Sequence, residues 1–327
     1  MPTKILVTGA GGFIGSHVVD LLLEQGVQVR ALCKYSSTGS YGWLESDRYA
    51  NSPNLERVLG DITDSEFVRT MITGQDVVIN LAALIGIPYS YVASRSYINV
   101  NVIGTLNLLE ALKGSSTRFI HISTSEVYGT PKTVPIKPTH PINPQSPYAA
   151  SKVAADQLCN SYSKSFGSQI LVVRPFNTYG SRQSLRAVIP TILSQISLGS
   201  NELRLGNITT KRDFTYVEDT ARAIVDACSK GVPDGRVIQL GTGRSVSISE
   251  VLEICRRLFN VDFEIVTEAN RIRPKNSEVE ILESDPKSAL DQLNWSSQIS
   301  LEDGLVKTFE WLQAQNVSLQ KSRTYAV

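Results

Sequence analysis

Charge of either sign is scarce: Asp, Glu, Lys and Arg make up 19% of the 327 residues, and the balance is a net +1. A chain so near neutrality gives no electrostatic case for nucleic acid or an anionic membrane as partner. Cysteine is sparse as well. Cys33, Cys159, Cys228 and Cys255 are far apart and form no CxxC, so free thiols in a reducing compartment, and hence a cytoplasmic protein, are expected. The histidines, His17, His121 and His140, share no metal-ligand spacing, and no metal is expected. No apolar run is long enough to span a bilayer. The first strand begins within a few residues of the N-terminus, leaving no room for a signal peptide. What the chain does have is apolar residues, 42% of the total, enough for a real core. Its length suits two domains or one large one, at about 100–200 residues each.

Lys4-Ile5-Leu6-Val7-Thr8 is a short β-rich run, followed at once by Gly9-Ala10-Gly11-Gly12-Phe13-Ile14-Gly15. A helical pattern then runs to Gln25-Gly26, and Val27–Cys33 is a second strand. Strand, glycine turn, helix, strand is the first βαβ unit of a dinucleotide-binding sheet. The spacing is GxxGxxG. Gly9 permits the tight turn, Gly12 lets backbone approach a pyrophosphate, and Gly15 lets the helix pack close to the strand. Phe13 and Ile14 open the helix whose N-terminus faces the negative charge.

NAD sites commonly place an acid at the end of the second strand, about 20 residues beyond the glycines, for the ribose 2′-hydroxyl. Here stand Cys33-Lys34-Tyr35-Ser36-Ser37. With no carboxylate, Lys34, Ser36 and Ser37 suit a 2′-phosphate, so NADP is favoured over NAD. The alternative is a merely solvated Lys34. A third strand, Leu55–Leu59, ends in Gly60-Asp61-Ile62, where Asp61 either meets an adenine amino group or caps the next helix. Asp76–Leu81 is a fourth strand, and Ala82-Ala83 supply small residues against which cofactor can lie. A long helix is predicted from Tyr91 to Leu112, with Asn101 as a buried hydrogen-bonding residue. Arg118–Ser123 is the fifth strand.

The stretch Ile122–Lys152 carries the chemistry. Ser123-Thr124-Ser125-Glu126-Val127-Tyr128-Gly129 leaves the fifth strand as a polar loop. Ser146-Pro147-Tyr148-Ala149-Ala150-Ser151-Lys152 starts a helix, with Ser as N-cap and Pro in the first turn. Tyr148 and Lys152, four apart, share a helix face. An ammonium beside a phenol is expected to lower the phenol's pKa from about 10 towards working pH. Thr124 is placed to bind the same substrate oxygen. After the helix to Phe166 come strand Gln169–Arg174, helix Val188–Leu198, strand Leu203–Leu205, a helix from the Arg212–Asp219 stretch to Lys230, strand Val237–Leu240 and helices Ile248–Phe259 and Leu301–Gln313. The expected fold is α/β, a doubly wound parallel sheet (Rossmann) with a smaller interleaved C-terminal substrate lobe. Residues 1–175, with 214–242 returning, form the dinucleotide-binding domain; 176–213 and 243–315 form the lobe; 316–327 are a tail.

Together these pieces resemble the extended short-chain dehydrogenase/reductase family, specifically its nucleotide-sugar-modifying enzymes, over about residues 3 to 312. Gly9, Gly12 and Gly15 match its glycine motif, Asn101 its helix asparagine, and Thr124, Tyr148 and Lys152 its catalytic Ser/Thr, Tyr and Lys. Asn177, Arg212 and Arg273 match its nucleotide-diphosphate contacts. The resemblance implies transient C4 oxidation of a sugar by a tightly bound NAD or NADP, regenerated in each cycle, and a homodimer. Glu126 stands where the family's 4,6-dehydratases have the base for sugar C5, a position without a base in the 4-epimerases. Its alternative role is as a partner of the catalytic Lys or Tyr. Ser125 replaces the Asp that serves dTDP-glucose dehydratases as the acid for the departing water. That role passes to Ser125, Glu126 or a relayed water. The run Arg174–Gln183 followed by Arg186–Pro190 looks most like bacterial dehydratases acting on UDP- or GDP-N-acetylglucosamine, as in legionaminic-acid pathways. Relatives there usually have Pro in place of Ser181. Arg182 and Arg186 are either phosphate contacts or solvated charges. A 4-epimerase, or a decarboxylase of related fold, is the rival expectation.

Overall fold

The computed structural model describes residues 3–315. The predicted tail, 316–327, lies outside the described residues. The sheet starts with β1 (Lys4–Thr8), whose Ile5, Leu6 and Val7 are fully buried, as a parallel strand covered on both faces requires. Around it lie β2 (Gln28–Lys34), β3 (Leu55–Gly60), β4 (Val77–Asn80), β5 (Arg118–Ile122) and β6 (Ile170–Pro175). The seventh strand, β10 (Asp234–Leu240), returns much later in the chain to pair with β6. The order is β10-β6-β5-β4-β1-β2-β3. Successive strands therefore step one way from β1 to β3 and the other way from β4 to β10. That reversal opens a crevice at the carboxyl ends of β1 and β4.

The helices on this sheet are α1 (Phe13–Glu24), the short α2 (Asp47–Ala50), α3 (Ser65–Ile72), α4 (Ile87–Val92), α5 (Ser94–Tyr97), α6 (Gly104–Leu112) and α7 (Pro147–Phe166). The single helix expected over Tyr91–Leu112 is instead α4, α5, one π turn at Ile98–Ile103 and α6. Pro88 in the first turn starts it earlier. Within the π turn, Asn101 faces inward, bonding Leu84 N (2.9 Å), Leu84 O (3.0 Å) and Ser151 Oγ (2.9 Å). The cap of α3 is Asp64, not Asp61: it accepts from the amides of Glu66 and Phe67, both at 3.1 Å.

The second lobe holds β7 (Asn177–Tyr179), β8 (Glu202–Leu205), β9 (Lys211–Tyr216), β11 (Ser245–Ser247), β12 (Glu264–Thr267) and β13 (Ile281–Leu282). It also carries α8 (Val188–Ser197), α10 (Ile248–Phe259) and α12 (Leu301–Ala314), while α9 (Val217–Ala227) and α11 (Lys287–Leu293) pack on the main sheet beside β10. β9 is central to a small sheet, paired with β7, β11 and β13, and β8 pairs with β12. β7, β12 and β13 are too short to show a period in sequence, and polar Lys211-Arg212-Asp213 hid β9. The lobe's core includes fully buried Ile192, Leu193, Leu203, Val251, Leu252 and Leu305, and Phe13 and Ile14 of α1 pack against it. Among the described residues no helix is long and apolar enough to cross a membrane, and no cluster of three or more His, Cys, Asp or Glu forms a metal site. The four cysteines are buried and free.

Candidate active site

The glycine turn is tight enough to exclude side chains. Gly9 has φ +68°, and a Cβ there would lie 2.8 Å from Ala82 N. A Cβ on Gly15 would lie 2.3 Å from Gly9 O, so only glycine lets α1 approach β1 this closely. Gly12 is the N-cap of α1, no side chain caps that end, and no acid lies in its first turn. The helix end is thus an uncompensated positive pole, suited to an anion. Residues 41–43 close over Gly11, with Trp43 N bonded to Gly11 O at 3.0 Å, a contact across some thirty residues that no local pattern announces.

The other predicted cofactor residues ring this crevice. Lys34 and Ser37 are exposed and Ser36 partly so, with Ser36 Oγ 2.9 Å from Thr38 Oγ1. Asp61 follows β3 and accepts from Thr63 N (2.9 Å) and Oγ1 (2.8 Å) through one oxygen, Oδ1. Ile62 is buried against Gly104. Leu81, Ala82 and Ala83 leave β4 beside Gly9, and Ala82 N donates to Thr8 Oγ1 at 3.1 Å. Backbone turns, an uncapped helix end and small residues fit a dinucleotide, and the lip at Lys34–Ser37 carries no carboxylate.

The reacting groups stand at the end of β5 and the start of α7. Thr124 caps a 3₁₀ turn, Ser125–Tyr128, accepting from Glu126 N at 3.2 Å. Ser146 caps α7, with Ala149 N donating to its Oγ at 3.1 Å, and so fixes the helix that presents Tyr148 and Lys152. Tyr148 is hydrogen-bonded to Thr124 and packs edge-on against Tyr97, ring centres 6.2 Å apart. The Lys152 ammonium donates to the Ile122 carbonyl at 2.7 Å. The expected lowering of the phenol's pKa by this lysine is not what the structure gives. Burial raises Tyr148 well above the usual phenol range; the Thr124 bond opposes this, and the Glu126 charge adds to it. Burial also pushes Lys152 down to about 8, with Asp156 opposing. In so enclosed a pocket desolvation outweighs a neighbouring charge.

A basic wall faces this pair. Arg273 Nη1 lies 3.8 Å from Glu126 Oε1 and 3.6 Å from Glu278 Oε1, and Arg212 Nη2 lies 3.3 Å from Glu278 Oε1. Arg212 is buried, which lowers its pKa, while Glu126 and then Glu278 hold it up. Asn177 Oδ1 is buried with no hydrogen-bond partner, and Arg273 Nη1 is buried with only the two longer contacts to the Glu126 and Glu278 carboxylates. Arg186 is exposed, its charge felt at Tyr97. Arg182 is neither free nor merely solvated: at φ +66° it donates to Asp20 Oδ2 of α1 at 2.8 Å, while Ser181 O meets His17 Nε2 at 3.2 Å. Thr124, Ser125, Glu126, Tyr148, Lys152, Arg212 and Arg273 thus converge. The sequence reading missed Glu278, which no local pattern distinguishes, and Asp156, which repeats the Tyr148/Lys152 spacing one turn on.

A doubly wound parallel sheet with a glycine turn at its first crossover, faced by Tyr and Lys one helical turn apart, defines a Rossmann-type short-chain dehydrogenase/reductase. The profile of the GDP-mannose 4,6 dehydratase family matches residues 6–308, and the chain belongs to that family, within the extended branch of this class. A trifunctional UDP-glucose 4,6-dehydratase/UDP-4-keto-6-deoxy-D-glucose 3,5-epimerase/UDP-4-keto-L-rhamnose-reductase of Arabidopsis thaliana is 32% identical over 319 residues, 95% of this chain and 47% of that one. The chain thus spans about half the length of such plant relatives. A dTDP-glucose 4,6-dehydratase of Actinoplanes is 31% identical over 317 residues, covering 95% of this chain and 98% of the relative. A putative UDP-glucose 4-epimerase of Methanocaldococcus jannaschii is 30% identical over 318 residues, covering 95% and 99%. Among solved structures, Pal from Bacillus thuringiensis superposes with TM-score 0.85 at 33% identity, covering 95% of this chain and 99% of that one. The dTDP-glucose 4,6-dehydratase DesIV from Streptomyces venezuelae, solved with NAD bound, gives TM-score 0.86 at 27% identity, with 96% and 98% covered.

Proposed function

We propose that this chain is a nucleotide-sugar 4,6-dehydratase that converts an NDP-hexose, UDP- or GDP-N-acetylglucosamine, to its 4-keto-6-deoxy derivative. The observation that carries the reading is Glu126, a carboxylate on the same short turn as Thr124, close enough to Tyr148 for its charge to be felt there. The residues at the crevice fit a nicotinamide dinucleotide: Gly9, Gly12 and Gly15 at the pyrophosphate, Asp61 and Ile62 at the adenine end, and Leu81–Ala83 and Asn101 along the β4 side. Such a cofactor, when bound, takes a hydride from sugar C4 and returns one at C6, so none is consumed.

Everything else falls to side chains. Tyr148 takes the 4-hydroxyl proton, with Thr124 bonded to the same oxygen. Lys152, still largely an ammonium at pH 7 with a pKa of about 8, supplies the positive charge that favours the phenolate. The 4-ketone so formed acidifies the C5 hydrogen. Glu126 removes it as general base, and the 6-hydroxyl leaves as water, protonated by Ser125, Glu126 or a relayed water; as hydride reaches C6, a solvent-derived proton returns to C5 and completes the 4-keto-6-deoxy product. Asn177, Arg212, Arg273 and, from the outside, Arg186 hold the diphosphate. The carboxylate-free lip of Lys34, Ser36 and Ser37 favours NADP over NAD. We further propose a cytoplasmic homodimer, formed across the helical stretch where Ile98 (44% exposed) and Ile103 (41%) leave apolar surface uncovered; light scattering of the purified protein tests it.

Incubation with a panel of UDP-, GDP- and dTDP-hexoses, read by mass spectrometry, tests the activity. A product lighter by one water supports it, and mass-neutral isomers alone overturn it. A 4-epimerase is the second reading, favoured by the similarity to the archaeal putative epimerase, and mass-neutral products are its signature.

A further inference from the structure

One buried carboxylate behind the reacting groups has no part in the chemistry so far. Asp156 is one turn beyond Lys152 on the inner face of α7 and 3% exposed. Its Oδ2 accepts three bonds, from Ser123 Oγ (2.9 Å), Arg174 Nε (3.0 Å) and Arg174 Nη2 (2.8 Å). Ser123 directly follows Ile122, whose carbonyl receives the Lys152 ammonium. Arg174 in turn donates to the Tyr128 hydroxyl at 2.8 Å, at the far end of the turn that carries Thr124 and Glu126. We propose that Asp156 is a positioning residue of this site: one helical turn from Lys152, it sets a buried negative charge on that face of α7 and ties the end of β5 to α7 through Ser123. The proposal rests on the catalytic role given above to Lys152.

Charge counting around the group supports it. Lys152 from α7, Arg174 from β6 and His121 from β5 all face Asp156. Glu126 is opposed by Arg212 and Arg273, Tyr97 and Tyr128 are neutral phenols, and Cys159 is kept a thiol by burial. His121 Nε2 stands 3.5 Å from Asp156 Oδ1, but burial, with the positive charges of Lys152 and Arg174, holds the imidazole neutral. Two cations thus share one anion in a dry region, and Asp156 is the largest influence opposing the desolvation of Lys152. Removing its charge drives Lys152 towards the free amine, so the alkaline limb of activity moves to lower pH. A cavity of about 400 Å³ reaches Asp156 and Arg174 from the β6–β10 side of the sheet and is lined by none of Thr124, Tyr148 or Lys152. A small carboxylate has room to enter there.

The test compares wild type, Asp156→Asn, Asp156→Glu and Asp156→Ala. In Asp156→Asn the alkaline limb of kcat/KM is expected to fall by one pH unit or more, with nucleoside-diphosphate affinity within twofold of wild type. Asp156→Glu should keep the wild-type limb, and formate should restore that of Asp156→Ala. Superimposable pH profiles for Asn and wild type, whatever the drop in kcat, overturn the proposal. NMR titration of the Lys152 Cε carbon, assigned with Lys152→Arg, reads the same shift without substrate. An enzyme inactive on every sugar therefore refutes the reaction above, while an unmoved Lys152 titration refutes this proposal alone.

Discussion

Replacing Glu126 by Gln removes a charge and a base while keeping the shape of the side chain. In the structure the carboxylate makes no tight pair: its contact with Arg273 is 3.8 Å, and Arg273 has Glu278 at 3.6 Å to fall back on. The backbone of its turn is held by Thr124 Oγ1 and is independent of the carboxylate. The substitution also takes away the charge that chiefly supports buried Arg212, so a loss of about 1–3 kcal/mol is expected, with the fold left in place because Glu278 still faces both arginines. Catalysis is another matter. A positioned general base contributes roughly 10²–10⁴-fold, equivalent to about 3–5 kcal/mol of barrier. Dehydration by Glu126→Gln should fall by that factor. Run in deuterium oxide, the wild-type reaction should exchange solvent deuterium into C5, and the variant should lose that exchange in step with turnover. Meanwhile Tyr148, relieved of a neighbouring negative charge, should ionise at lower pH than in wild type. If the variant keeps turnover within threefold and still exchanges C5, the base lies elsewhere and the assignment of Glu126 is wrong.

Tyr148→Phe should abolish turnover while leaving circular dichroism and cofactor affinity near wild type; retained turnover refutes its role as proton acceptor. Gly15→Ala brings a Cβ to 2.3 Å from the Gly9 carbonyl, a backbone atom with no freedom to yield. It should lower the thermal midpoint by several degrees and weaken cofactor binding at least tenfold, both read by calorimetry. Lys34→Ala should weaken NADP about tenfold and leave NAD little changed, as removal of one charge from a phosphate contact implies; equal losses for both cofactors would show that Lys34 does not meet a 2′-phosphate.

How much of this was legible in sequence depended on the range of the interaction. The first βαβ unit, the Ser146-Pro147 start of α7 and the spacing of Tyr148 and Lys152 are local, and each is written within a few consecutive residues. The π turn around Asn101 was not, because the partners of Asn101 are the Leu84 backbone and Ser151, reached only in the folded chain. The same holds for Arg182, whose sequence neighbours give no hint of Asp20. Strand β9 went unpredicted, its residues joined to the following helix, because Asp213 is spent on a tertiary task. It accepts from Thr242 N (2.8 Å), Gly243 N (3.0 Å) and Ser284 Oγ (2.6 Å), none of them near it in sequence. The pKa of Tyr148 was misjudged for a related reason: spacing reports which charge is near, but not how much water has been removed.

The late return of β10 has a consequence for how the chain is made. A ribosome delivers β1 to β6 well before Asp234–Leu240 emerges, and the sequence in between adds no strand to the main sheet. Until then β6 presents a bare ladder of amides and carbonyls along Ile170–Pro175, in a strand whose side chains are wholly buried in the finished protein. Such an edge is a template for pairing with another chain. β10 is thus a guard strand that arrives last. A fragment ending at Tyr179 is expected to scatter light on expression, whereas one extended through α11 should stay dispersed.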